Sequence, residues 1–177
     1  MKNMIDDNKD ELKNTDLVQA PIGSQIALLE NGSADVVMEL EPSASIAESK
    51  GYHIVYSASN LSGSFAFTGI TTTEGNAKNN KETVQKFVNA IQKAIDFIHS
   101  DINSTISIAQ LLFPDIDKTV VANAVTRMVQ GGTIPQNAGI SSESWGNAVK
   151  IRHQIGDIKN IKQTEKAVDN SFAENSK

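Results

Sequence analysis

Cysteine is absent from the 177-residue chain. This absence excludes disulfides, thiolate metal sites and cysteine nucleophiles together. The three histidines lie far apart and never in an HExxH pattern, so we predict no metal site. Nucleophile-elbow, phosphate-loop and dinucleotide-binding motifs are also absent from the sequence. We therefore predict no catalytic residue and no cofactor.

A surplus of basic residues is lacking as well. The chain has 16 Lys and Arg against 21 Asp and Glu, a net charge of −5, which argues against nucleic acid as a partner. No apolar run approaches the roughly 18 residues of a membrane span. Residues 1–14 form a polar, acidic lead-in without the apolar core of a signal peptide. We expect this chain to carry no export signal of its own.

The first half of the sequence alternates short apolar runs with short segments that carry helix start and stop residues. Residues 25–30 and 43–49 predict helices, bounded by Ser24, Pro42 and glycines. The predicted strands are residues 16–20, 34–40, 53–56 and 65–73. Apolar runs of this kind are typical of strands buried on both faces. The order predicts an α/β fold, a short parallel sheet with crossover helices.

The second half has helical periodicity. Residues 81–100 place their apolar side chains on one stripe, and further helices are predicted over residues 104–113, 117–130 and 142–155. Four amphipathic helices are too many for a sheet with so few strands. We therefore expect the chain to be the C-terminal part of a larger sheet protein.

Three stretches resemble one family. Residues 32–45 (GSADVVMELEPSAS) combine a small-residue turn with an "aDvv…EP.as" pattern. Residues 67–73 (FTGITTT) are similar to a strand that returns to the first lobe, and residues 80–90 (NKETVQKFVNA) to a helix start. The pattern resembles solute-binding proteins of ABC importers, in the nitrate, sulfonate, taurine and thiamine-pyrimidine-precursor binding family. The resemblance covers about residues 16–173.

The resemblance implies a partial periplasmic-binding-protein-like fold in which a short parallel sheet with crossover helices precedes a helical C-terminal segment. The implied divisions are a lead-in (1–14), part of the second α/β lobe (15–64), a hinge or return strand (65–73), the helical part of the first lobe (74–157) and a polar tail (158–177). The implied function is to bind a small solute without catalysis, as the C-terminal portion of a binding protein that serves an importer permease. Full-length members of the family act outside the cytoplasm, as periplasmic proteins or membrane-anchored lipoproteins.

Small and hydroxyl residues follow the predicted strands, where ligands bind in open α/β sheets. Together with the resemblance, these positions give the predicted ligand site: Glu41, Pro42, Ser43, Ser45, Gly23, Ser24, Gln25, Ser62, Gly63, Ser64 and Thr68. The alternative is that they are caps and turns, with Glu41 capping a helix. Residues 16–75 contain no Arg. The cation for a strongly anionic ligand would therefore come from a part of the binding protein that this chain does not carry.

Two other functions stay open. The chain could be a stand-alone small-ligand-binding or regulatory α/β domain. It could also resemble the thiamine-pyrimidine-precursor synthases, although these use a cysteine-rich segment that this sequence lacks. A sheet with few strands would leave apolar helix faces such as Phe87, Ile91 and Ile95 exposed, which predicts self-association. Ligand identity is not predicted.

Overall fold

The computed structural model describes residues 13–57, 64–164 and 166–176, and the regular elements within those ranges are helices. They are α1 (Gln25–Glu30), α2 (Ser43–Ser49), α3 (Glu74–Asn79), α4 (Lys81–Ser100), α5 (Ile102–Leu112), α6 (Lys118–Gln130), α7 (Ser142–Gln154), a 3-10 helix (Ile161–Thr164) and α8 (Ser171–Glu174). Helices α1, α2 and α4 have the predicted bounds, and α5 to α7 differ from theirs by at most two residues. The sequence did not predict α3, the 3-10 helix or α8.

Side-chain caps begin three of the longer helices. Oδ1 of Asp101 accepts from the Ser104 N–H at 2.9 Å, and Oδ1 of Asp117 accepts from the Thr119 N–H at 2.8 Å. The Ser104 side chain and backbone lower the pKa of Asp101, and the Thr119 and Val120 N–H groups lower the pKa of Asp117. Ser141 caps α7 through the Ser144 N–H at 3.0 Å. These bonds satisfy N–H groups that a helix start leaves without partners.

Helix α6 lies at the centre of the packing. It packs against α5 and α2, while α4 contacts α3, α5 and α8. The buried apolar residues of the described chain are Ala47, Ile95, Val120, Val121, Ala124 and Val149. Half of them belong to α6. The core is therefore small and is organised around one helix.

The predicted parallel sheet is wrong for the described residues. The segments 16–20, 34–40, 53–56 and 65–73 lie outside every helix, but no strand or sheet forms within residues 13–57, 64–164 and 166–176. The α/β, partial periplasmic-binding-protein-like fold is therefore corrected to a set of helices joined by irregular segments.

The physical reason is that these segments have no neighbouring strand and little cover. A strand completes its backbone hydrogen bonds only with another strand, and parallel strands need cover on both faces. Val36, Val55 and Phe67 are 65%, 78% and 66% exposed. The Ala66 N–H donates to the Ser144 carbonyl of α7 at 2.9 Å, not to a strand. High β propensity describes fit to a half-buried pleated surface, so it forms no strand where that surface is absent.

Candidate functional site

The turn that enters α2 carries the main candidate residue, Glu41. The Glu41–Pro42 peptide bond is cis, and Pro42 is the N-cap residue of α2. Glu41 Oε2 accepts from the Ser45 N–H at 3.1 Å. A carboxylate at this end of a helix satisfies a free N–H group and complements the helix dipole. Glu41 thus makes the cap contact that the alternative interpretation of this residue predicts.

Arg127, near the end of α6, is the partner of Glu41 across the helix packing. Its Nε donates to Glu41 Oε1 at 2.7 Å, and its Nη2 donates to Glu48 Oε2 at 2.6 Å. The same Nη2 lies 3.5 Å from Oγ of Ser45, which is 1% exposed. One guanidinium therefore joins the first turn of α2 to its last turn and fixes both to α6. We name these four residues the Arg127 cluster.

Solvent reaches the cluster unevenly. The side chains of Glu41, Arg127 and Glu48 are 12%, 34% and 41% exposed. Burial disfavours the charged guanidinium, but the hydrogen bonds and negative charges of Glu48 and Glu41 outweigh it and raise the pKa of Arg127. The Glu41 contact is the better shielded of the two ion pairs of Arg127, because the Glu41 side chain is less exposed than that of Glu48.

The other predicted site residues divide into three groups. Pro42 and Ser43 are partly buried beside Glu41. The Gly23 N–H donates to Oε1 of Gln25 at 2.8 Å, and Ser24 Oγ donates to the Pro21 carbonyl at 2.7 Å, so this loop bonds within itself. The Ser64 carbonyl accepts from Nδ2 of Asn147 at 2.9 Å, and Thr68 is exposed. Ser62 and Gly63 lie outside the described residues.

The hydrogen bonds of the described residues do not link these groups to one another. Within residues 13–57 and 64–164, no hydrogen bond or ion pair connects the Gly23–Gln25 loop with the Glu41 turn. Contact of any of these residues with a ligand stays a prediction.

Sequence reasoning missed Arg127. The expectation was that no cation would reach the Glu41 turn from within this chain, because residues 16–75 contain no Arg. Arg127 is 86 residues away in sequence and reaches the turn only through the packing of α2 on α6. A weak signal was present, since Arg127 is one of only two arginines in the chain and lies in the last turn of a predicted helix.

Two hollows lie away from the Arg127 cluster. One, of about 380 Å³, is lined mainly by α7 and the chain that follows it, and Trp145 Nε1 donates to the Thr164 carbonyl at 3.1 Å beside it. The other, of about 430 Å³, lies between the start of α4 and α8. Neither is lined by a residue of the predicted ligand site.

The described residues offer neither a metal site nor a membrane-spanning helix. No group of three or more His, Asp or Glu side chains there could hold a metal ion. None of the helices in that part of the chain has the length and apolar composition of a membrane span.

The Glu41 turn falls within a family match. The family model described as "NMT1/THI5 like" matches residues 1–102. The chain belongs to this NMT1/THI5-like family. The family resemblance noted in the sequence is therefore confirmed. Helix α6, which carries Arg127, lies beyond the matched residues.

This NMT1/THI5-like chain is also similar to a protein of Bacillus subtilis. The "Putative binding protein YtlA" of Bacillus subtilis (strain 168) is 29% identical over 161 residues, which cover 89% of this chain and 47% of the relative. The chain thus spans about half the length of this relative. No solved structure matches the chain.

Proposed function

We propose that the chain is the C-terminal portion of the substrate-binding component of an ABC importer, and that it helps to bind a small solute without catalysis. Its partners are then the solute and the importer permease, and it acts outside the cytoplasm. The observation that carries this proposal is the family match over residues 1–102, which includes the whole Glu41–Ser45 segment. The name of the Bacillus subtilis relative as a binding protein supports it.

Binding without catalysis is supported by chemistry as well. The sequence has no cysteine for a nucleophile or a thiolate metal site, and the synthases that resemble this family use a cysteine-rich segment. Glu41 carries a carboxylate at the start of α2, whereas Ser45 is buried beneath it. A single well-placed carboxylate can fix the orientation of a small ligand.

A chimera tests the proposal directly. In it, this chain replaces the matching residues of the Bacillus subtilis relative, which supplies the rest of a binding protein. Calorimetric titration with nitrate, taurine, methanesulfonate and the aminopyrimidine precursor of thiamine is expected to give saturable binding of one of these compounds. Mass spectrometry after prolonged incubation is expected to recover that compound unchanged. A chimera that melts cooperatively but binds none of the four, or that converts one of them, contradicts the proposal.

The role of Glu41 requires a variant that separates binding from capping. In the chimera, Glu41→Gln is expected to weaken binding about ten- to a hundred-fold, because a charge-assisted hydrogen bond contributes about 1.5–3 kcal/mol. Gln keeps an acceptor for the Ser45 N–H. Glu30→Gln is the matched control, since it removes an exposed carboxylate from its ion pair with Lys50 and lies outside the predicted site. Unchanged affinity in Glu41→Gln, with a lower melting temperature, would assign Glu41 to the cap and the ion pair alone.

A further inference from the structure

Arg127 uses one edge of its guanidinium for two different carboxylates. Nε and Nη2 are neighbouring nitrogens on that edge, and together they form the fork that grips a carboxylate or sulfonate bidentately. Here Nε donates to Glu41 at 2.7 Å, while Nη2 donates to Glu48 at 2.6 Å. The fork is therefore divided between two residues of the chain.

The charges of the Arg127 cluster do not cancel. Two carboxylates and one guanidinium leave a formal charge of −1, and each carboxylate oxygen bonded to Arg127 lies within 2.7 Å of a guanidinium nitrogen. An oxyanion that approached the turn would meet this negative charge, and to bind the Nε–Nη2 edge bidentately it would have to displace Glu41 or Glu48. Both effects oppose its binding.

We propose that Arg127 is a positioning and specificity-determining residue, which holds the Glu41 carboxylate at the α2 turn and, because Glu41 and Glu48 occupy its Nε–Nη2 edge, offers an oxyanion no bidentate grip through that edge. This inference rests on the proposed function. The site then accepts a ligand group that donates hydrogen bonds and is neutral or cationic. Glu48 acts here as the residue that keeps Arg127 occupied.

Nitrogen-15 NMR of the full chain tests the inference without knowledge of the ligand. The sequence has two arginines, Arg127 and Arg152, so the side-chain Nε–H region holds two arginine signals. The probe is methanesulfonate, added at constant ionic strength. In the unmodified chain, the Arg127 signal is expected to show no saturable shift. In Glu48→Gln, which frees Nη2 and removes one negative charge, it is expected to shift saturably, with affinity raised at least about tenfold.

Asp157→Asn is the matched control. It frees Arg152 from its ion pair with Asp157, whose two side chains are 63% and 51% exposed. Because water screens exposed pairs, we expect the affinity of Arg152 for methanesulfonate to rise less than about threefold. Glu48 is exposed, and Glu48→Ala serves as a second variant that removes the same charge and favours the helix.

Three outcomes overturn the inference. Saturable binding of methanesulfonate at Arg127 in the unmodified chain would mean that the fork is open to an anion. An unshifted Arg127 signal in both Glu48 variants, with circular dichroism unchanged, would mean that Glu48 does not control access. If the affinity for methanesulfonate rose as much at Arg152 in Asp157→Asn as at Arg127 in Glu48→Gln, the effect would reflect only the removal of a negative charge.

The chimera separates this inference from the proposed function. If it binds none of the four compounds, the proposed function fails, and the NMR titration still decides whether Arg127 is occupied. If it binds nitrate, taurine or methanesulfonate and Arg127→Met abolishes that binding, the binding function stands and this inference fails, because the anion then uses Arg127. If it binds the aminopyrimidine, Arg127→Met is expected to weaken that binding about tenfold, and adding Glu41→Gln is expected to weaken it little further.

Discussion

Residues 74–154 and residues 13–57 differ in how their backbone bonds are completed. The first region consists largely of α3 to α7, in which most N–H groups bond within the same helix. It supplies every buried apolar residue of the described chain except Ala47. The second region has two short helices and long irregular segments with exposed apolar side chains. Local bonds form wherever the sequence favours a helix, whereas a strand also requires a distant partner.

The largest expected effect comes from a charge placed in the helical region. Val121 of α6 is 3% exposed. Val121→Asp buries a carboxylate without a partner, so we expect a loss of more than about 3 kcal/mol of unfolding free energy and no cooperative melt. Far-UV circular dichroism during urea or thermal unfolding measures this loss.

The same substitution in the other region is the control. Val55 is 78% exposed, so Val55→Asp is expected to change stability by less than about 0.5 kcal/mol. If the two variants were equally destabilised, the contrast between the regions would be lost.

The Arg127 cluster joins the two regions, so breaking it is expected to have the next largest effect. Arg127→Met leaves the carboxylate of Glu41, which is 12% exposed, without its cation. We expect a loss of about 1–3 kcal/mol in unfolding free energy. Arg152→Met, which breaks an exposed pair within residues 152–157, is expected to cost less than about 1 kcal/mol. Urea unfolding of both variants tests whether the partly buried Arg127 ion pair stabilises the chain more than the exposed Arg152 ion pair does.

We expect a smaller, pH-dependent effect on stability from the Asp117 cap of α6. The pKa of Asp117 is lowered in the folded chain by the N–H groups of Thr119 and Val120. Its stabilisation is therefore complete above the ordinary carboxyl pKa and is lost as the pH falls through the lowered value. We expect the melting temperature of the unmodified chain to exceed that of Asp117→Asn at neutral pH, and the gap to close below about pH 4.

Asp115→Asn is the comparison for this cap. Asp115 is exposed and is not a cap residue, so its substitution should leave the pH dependence unchanged. A gap for Asp117→Asn that is constant with pH would contradict a charged cap.

We expect the smallest change in stability from a substitution that reduces self-association. Phe87 is 52% exposed, as the prediction of self-association requires, but Ile95 is buried. The exposed apolar side chains of the irregular segments offer a second surface. We expect sedimentation velocity to detect dimers or larger species that Val55→Asp reduces without a change in melting. A monomer at every concentration would contradict self-association.

The sequence predicted the parts of the fold that depend on near neighbours. The stripe of apolar residues in 81–100 gave the observed bounds of α4, and the predicted bounds of α6 and α7 lie within one residue of those observed. The prediction of a sheet was wrong because an apolar run such as Ala34 to Leu40 forms a strand only when a distant segment of backbone pairs with it. The sequence did not predict helix α3 (EGNAKN), because this segment lacks an apolar stripe.

The candidate site shows the same limit. Glu41 and Pro42 were found through a local pattern, and so was the possible cap. Arg127 could not be paired with Glu41, because its approach depends on how α2 packs on α6. Sequence spacing carries no information on a contact between residues 86 positions apart.

The Glu41–Arg127 bond has a consequence for the order in which the chain becomes ordered. Helices α5 and α6 are joined by a short connection, so they meet at little entropic cost. The Glu41–Arg127 bond, by contrast, closes a loop of 86 residues. We therefore expect helix α2 to dock on α6 after α5 and α6 have met, and to detach from α6 before those two helices separate. The candidate site is then carried by the helix that we expect to be attached last.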